Sequence, residues 1–229
     1  MTARRIAFIA LGLGIGALAA VFFALQPGSR RGPSPDIPGL LWPEPLALTA
    51  FALEDQYGQR VDLERLKGKW TFLFFGYTSC PDICPTTLSV LAAVEKKLRA
   101  TPADLNDAQF MFVFVDPKRD SLERLGQYVA YFNKDFLGVT RPPEKLNVLT
   151  RQLGIFYELG DPHNEGNYVV NHTGAILLAD PESRVVALMG APPDPSDITE
   201  RFRRIRAFLK AHARKQALIE QGLGDADAG

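Results

Sequence analysis

The sequence predicts an α/β domain, built as a central mixed sheet flanked by helices, carried behind an N-terminal transmembrane helix. Three observations predict it. No residue from Ile6 to Leu25 is charged. Two continuous apolar runs, Trp70 to Phe75 and Phe110 to Val115, enclose a segment whose Leu88, Leu91, Ala92 and Leu98 recur at helical spacing. Finally, two apolar stretches near the C-terminus lead into an amphipathic helix.

The 229 residues contain 26 basic and 26 acidic side chains, so no bulk field favours nucleic acid, and nucleic-acid binding is not expected. With 46% hydrophobic and 10% aromatic residues, the part beyond the N-terminal segment suits one domain with one core.

Residues 1–5 read as a short cytoplasmic N-terminus and residues 6–25 as the anchor, because about 20 apolar residues at 1.5 Å each cross a hydrocarbon core of about 30 Å. Arg4 and Arg5 before the run favour N-in, C-out, while Arg30 and Arg31 on the other flank oppose it. The competing reading is a cleaved signal peptide, for which Ala17-Leu18-Ala19 has the small-x-small form. In both readings the domain is exported. Residues 26–45 hold six prolines with glycines and serines among them and read as an extended tether, on which Leu40, Leu41 and Trp42 are candidates to dock back.

Residues 46–218 read as the domain. Leu46 to Leu53 and Arg60 to Leu63 are expected strands around the turn Gln56-Tyr57-Gly58, followed by the buried strand Trp70 to Phe75, the helix, and the parallel strand Phe110 to Val115. Helices are expected over Leu122 to Phe132 and Glu144 to Leu153, then an irregular Gly160 to Asn167. Ala175 to Ala179 and Val185 to Met189 flank Asp180-Pro181-Glu182-Ser183 as an antiparallel hairpin. Ser196 is the expected N-cap of the last helix, with Ile198, Phe202, Ile205 and Leu209 as its buried stripe. A β-α-β half followed by a β-β-α half is the thioredoxin arrangement. Residues 219–229 are expected to form a flexible tail.

The two cysteines of the chain, Cys80 and Cys84, stand four apart between a buried strand and a helix. Residues i and i+4 share a helical face, and the free N–H groups of a helix start stabilise thiolate, so both sulfurs are expected to have low pKa and to point at one atom. Such thiols are metal ligands or nucleophiles. A stapling disulfide and a pair of inert buried thiols are the alternatives; a loop this short constrains the unfolded chain little. Asp82 and Asp116 are candidates to orient a ligand or tune its potential, or else a helix-start charge and a turn former. Of the histidines, His212 lies on the charged last helix, His163 in a polar loop, and His172 just before the strand Ala175 to Ala179, at the corner facing the cysteine turn in a thioredoxin fold. From the residues alone, His172 reads more readily as a structural histidine than as a ligand. Tyr77, Phe114, Tyr128, Tyr131 and Phe132 read as core, and the basic run from Arg201 to Lys215 as a solvated helix face.

The segment Phe75-Gly76-Tyr77-Thr78-Ser79-Cys80-Pro81-Asp82-Ile83-Cys84-Pro85-Thr86-Thr87-Leu88, together with Val115-Asp116-Pro117-Lys118-Arg119-Asp120, the lead-in Leu66 to Trp70 and the Tyr168 to His172 stretch, resembles the Sco (SenC) family of copper chaperones over about Phe51 to Phe208. The resemblance implies Cys80, Cys84 and His172 as copper ligands, one Cu(I) or Cu(II) per domain, and delivery of copper to the dinuclear site of cytochrome c oxidase subunit II, or reduction of that site's cysteines. It implies a copper donor protein and an acceptor as partners. The implied location is the bacterial inner membrane, single-pass, with the domain facing the periplasm; the mitochondrial inner membrane facing the intermembrane space is the alternative.

Two thiolates and an imidazole form a soft set that suits Cu(I), and zinc would also accept it. The expectation is therefore a metallochaperone without substrate turnover. The alternative is a thiol–disulfide oxidoreductase with Cys80 and Cys84 as the redox-active pair.

Overall fold

The computed structural model describes residues 36–41, 43–101, 106–155, 157–159, 170–172, 174–190 and 194–221. The predicted anchor at 6–25 and His163 lie outside the described residues. No helix among the described residues is long and apolar enough to cross a membrane.

The predicted β-α-β half is present. Strand β4 (Trp70–Gly76) is buried along its whole length, leads into helix α2 (Ile83–Arg99), and pairs in parallel with β5 (Ala108–Phe114), Trp70 opposite Ala108 and Gly76 opposite Phe114. A strand covered on both faces needs apolar side chains on both, which explains the unbroken hydrophobic run. Helix α3 (Leu122–Phe132) and the four-residue strand β6 (Leu137–Thr140), parallel to β5, follow. Helix α4 is Pro143–Gln152. The predicted hairpin is β9 (Ile176–Ala179) with β10 (Arg184–Met189), and β9 runs antiparallel to β4. The chain's last described element is helix α5 (Pro195–Glu220).

Ahead of this half come β1 (Leu46–Ala47), β2 (Leu53–Asp55), β3 (Arg60–Val61) and the single-turn helix α1 (Leu63–Leu66). The large sheet has the order β1-β10-β9-β4-β5-β6-β2-β3. A separate two-stranded ribbon joins β7 (Tyr157–Leu159) to β8 (Val170–His172). Phenylalanines stack between the central strands: Phe72 on Phe110 at 4.7 Å and Phe74 on Phe112 at 5.3 Å between centroids. Phe202 seats α5 against Trp70 at 5.6 Å and against Phe72 at 5.1 Å.

Three expectations are corrected. The strand expected over Leu46 to Leu53 is divided between two strands far apart in the sheet, since β1 is an edge strand on β10 whereas β2 lies between β6 and β3. Leu48 and Phe51, between them, are buried in the core instead of alternating along a strand. Within the segment read as tether, Ile37 is a core residue and Leu40 bridges to Ala187, docking back on the domain as expected of it. Gly39 lies so close to β10 that a Cβ there would stand 2.0 Å from the Leu188 carbonyl oxygen. The N-cap of α5 is Asp194, which accepts from the N–H groups of Ser196 and Asp197 at 2.8 and 2.9 Å. Pro195 explains the shift, because a residue without an N–H fits the first helical position and leaves the cap to its predecessor. Tyr131, expected in the core, is 85% exposed.

Candidate metal centre

The cysteines sit where β4 gives way to α2. Cys84 occupies the second position of the helix and is fully buried, and Cys80 keeps 8% of its surface. Both are free thiols within hydrogen-bonding range of each other. Room for this pair is made by Gly76 at the end of β4. A Cβ there would lie 2.5 Å from the Cys84 sulfur and 2.8 Å from Phe112 Cζ, so a residue with any side chain would collide with the sulfur and the aromatic ring together.

The helix start was expected to lower both thiol pKa values. The structure corrects this for Cys84: burial pushes its thiol well above the ordinary range, and the adjoining Cys80 and the charge of Asp120 push the same way, while the Tyr77 backbone N–H pulls back. Desolvation of a thiolate outweighs a few partial charges when the sulfur has no water.

The turn between strand and helix is pinned from the side. Asp120 is buried, takes the Thr78 N–H at 3.1 Å and the Thr78 hydroxyl, and lies just before the N-cap of α3, Ser121. Arg124, one turn into that helix, donates to Thr78 Oγ1 at 2.8 Å and to Ser79 Oγ at 3.3 Å. Burial raises the Asp120 carboxyl above the usual range, opposed by the two bonds from Thr78. Arg119 pairs with the buried Asp116 and places its guanidinium 5.4 Å over the Tyr77 ring. The sequence reading named Asp116 and missed Asp120, Thr78 and Arg124. A signal was present in Asp120-Ser121, a carboxylate immediately before a helix cap at the carboxyl end of a parallel strand.

Of the two aspartates named from sequence, Asp116 is buried two residues past β5, and the Val115 N–H beside it bonds to the Gly76 carbonyl at 2.9 Å. Asp82 is the N-cap residue of α2, yet its side chain is exposed and makes no capping bond. Tyr128 was read as core and is half-buried, its ring against Phe112 and Phe114. Its hydroxyl is buried without a hydrogen-bond partner among the described residues. Burial raises that hydroxyl's pKa, and the charges of Cys84, Cys80 and Asp120 add to the rise.

His172 is described by its backbone: it ends β8 opposite Tyr157, and β8 comes within 8 Å of β4 between Cα atoms. Among the described residues no three His, Cys, Asp or Glu side chains are grouped to hold a metal ion. His212 is half-buried and stacks on Phe208 at 6.1 Å, in α5.

Known proteins are similar to this chain in sequence and fold. The family model described as SCO1/SenC matches residues 43–207. A protein from Stutzerimonas stutzeri named as copper-binding is 37% identical over 67% of this chain and 74% of its own length. A bovine relative, called Protein SCO2 homolog, mitochondrial, is 30% identical over 88% of this chain and 74% of its own. The crystal structure of Arabidopsis thaliana ScoI with copper bound superposes with a TM-score of 0.64 at 33% identity, covering 69% of this chain and 98% of that one. Yeast Sco1 with copper bound gives 0.65 at 28% identity, over 70% and 88%. With the family model spanning well over half its length and the thiol turn at the end of β4, the chain belongs to the SCO1/SenC family.

Proposed function

We propose that the domain is a copper metallochaperone: it takes one copper ion on Cys80, Cys84 and His172 and passes it by ligand exchange to the dinuclear copper site of cytochrome c oxidase subunit II. The observation that carries this reading is the reduced thiol pair at the start of α2, with Gly76 leaving space against the Cys84 sulfur. Two buried sulfurs in hydrogen-bonding range form a soft and poorly hydrated donor set, which suits Cu(I) over harder cations. Copper-bound relatives from Arabidopsis and yeast support the choice of metal.

In this mechanism copper is the cargo. Cys80, the more accessible sulfur, makes first contact; Cys84 then gives up its proton to close the chelate; His172 supplies the third donor. Asp120 and Arg124 hold the turn so that the sulfurs need not reorganise. Residues 6–25 anchor the domain to the bacterial inner membrane on its periplasmic face, so that it meets its donor and acceptor at that surface. Asp116 sets the Arg119 guanidinium over Tyr77 and thereby shapes the wall behind the turn.

The test is the purified domain titrated with Cu(I) against a competing chelator, and with Cu(II) while thiolate-to-copper absorption is followed. One copper per domain is expected. Serine at either cysteine should abolish binding at the single site, and His172→Ala should weaken it by on the order of tenfold or more. Full affinity in His172→Ala would remove His172 from the site.

The unequal burial of the thiols favours one second reading, a thiol–disulfide oxidoreductase. Cys80 would attack a partner's disulfide, releasing one partner thiol and forming a mixed disulfide; Cys84 would then close the Cys80–Cys84 disulfide and release the second. The raised Cys84 thiol disfavours that closing step. Reduction of an acceptor peptide that persists without copper and in His172→Ala would establish this activity.

A further inference from the structure

Helix α5 is longer than the domain needs. Its buried residues end at Ile205, and from Lys210 to Glu220 every residue except the half-buried His212 is exposed. Eleven residues of helix, about 16 Å, therefore extend with little core beneath them, although isolated helices of this length are marginal in water.

This exposed part has a patterned outer surface. Ala207, Ala211 and Leu218 fall along one line of the helix, and with Lys210, Arg214 and Lys215 they border a shallow groove of ≈ 490 Å³. An apolar line with cations on both sides is the pattern of a helix that lies in a membrane–water interface. Between Arg201 and Lys215 the sequence has seven Lys or Arg and no Asp or Glu. Arg201 and Arg206 are engaged with Asp197 and Asp107, whereas Lys210, Arg214 and Lys215 have no ion-pair partner among the described residues. The same helix also holds the start of the domain: Arg204 donates to the Asp36 carbonyl, and Arg201 to that of Pro38 at 3.5 Å. Ten residues, 26–35, separate that point from Leu25, a reach of at most about 35 Å.

We infer that the outer face of α5, centred on Lys210, Arg214, Lys215 and Leu218, docks on anionic lipid headgroups. The inference rests on the membrane-anchor reading for its biological setting, but not for its test. Charge complementarity selects an anionic surface, and the apolar line selects a bilayer over an acidic protein, which would match the cations without using Leu218.

The test uses the domain from residue 36 onward, which contains the buried core of the described residues and lacks the apolar N-terminal run; the solved Arabidopsis ScoI chain is matched over 98% of its length. Co-sedimentation is measured with vesicles of phosphatidylcholine alone and with about one third phosphatidylglycerol. Binding at least about tenfold tighter to the anionic vesicles is expected, weakening as salt screens it. The variant K210Q/R214Q/K215Q should lose most of that binding and L218A part of it, with unchanged circular dichroism and thiol content showing an intact fold. Equal binding to both vesicle types, undiminished binding by the triple variant, or binding to an acidic polypeptide but not to vesicles would each overturn the inference. Alkaline carbonate extraction of the full chain tests the anchor separately: release of the chain refutes residues 6–25 as an anchor and leaves the vesicle result standing.

Discussion

The two halves of the candidate centre rest on unequal foundations. Cys80 and Cys84 are built into the middle of the large sheet: β4 lies between β9 and β5, and the turn after it is bonded through Thr78 to Asp120 and Arg124. His172 is carried by the ribbon β7–β8, three residue pairs outside that sheet. Two short strands contribute little stability alone, whereas a turn at the end of a fully buried strand inherits the cooperativity of the core. The thiol half is thus fixed by folding, and the histidine half is the part that a third bond to copper would fasten.

That contrast can be broken from either side. The largest effect is expected from Gly76→Ala, which forces a methyl group against the Cys84 sulfur and Phe112. Overpacking of this kind costs about 1–3 kcal/mol, so both the melting temperature and the copper content should fall. His172→Ala should lower copper affinity and leave the melting temperature of the copper-free domain unchanged. Equal loss of stability in the two variants would remove the distinction.

Next in size is Asp120→Ala, which strips a buried N–H and a buried hydroxyl of their acceptor. Thermal unfolding should register about 1–3 kcal/mol, and the copper absorption bands should broaden or shift as the turn loosens.

The raised Cys84 thiol gives a signed pH dependence. In the folded state it holds its proton above the ordinary thiol pKa of 9.0, where the unfolded chain has lost it. Stability is therefore full below about pH 9 and declines above it, by up to ~1.4 kcal/mol per pH unit. Cys84→Ser should flatten that slope in melts taken from pH 8 to 11. Copper binding has the opposite sign, gaining affinity as pH rises because the metal must displace this proton. The smallest effect is expected from Tyr128→Phe. It removes a buried hydroxyl that has no partner among the described residues, and the copper-free domain should gain up to about 1 kcal/mol in a denaturant melt.

How much of this was legible in the sequence follows from which signals are local. Trp70 to Phe75 and Phe110 to Val115 read as buried parallel strands because a strand covered on both faces is apolar almost throughout, and α3 was read over Leu122 to Phe132. Strand β6 was missed, as four residues including Gly138 are too short to show a pattern. The division of Leu46 to Leu53 between distant parts of the sheet was hidden because β10, the partner of β1, and β6, a partner of β2, lie more than 80 residues away. At the centre, the cysteines were legible from strand–turn–helix context. The carboxylate beside them was not, because Asp116 and Asp120 differ in sequence only by position, and the pairing of Thr78 with Asp120 spans 42 residues. The Cys84 thiol was misjudged because helix position can be read from spacing, while depth of burial depends on what the tertiary fold packs over it.

The segment laid along β10 also bears on how the sheet meets its surroundings. The Leu188 N–H bonds to the Gly39 carbonyl at 2.8 Å, and the Leu41 N–H to the Val186 carbonyl at 2.7 Å. These bonds occupy a sheet margin that would otherwise present unpaired amides and carbonyls to any passing strand. A chain trimmed to begin at Leu46 would uncover that margin and be prone to edge-to-edge clumping.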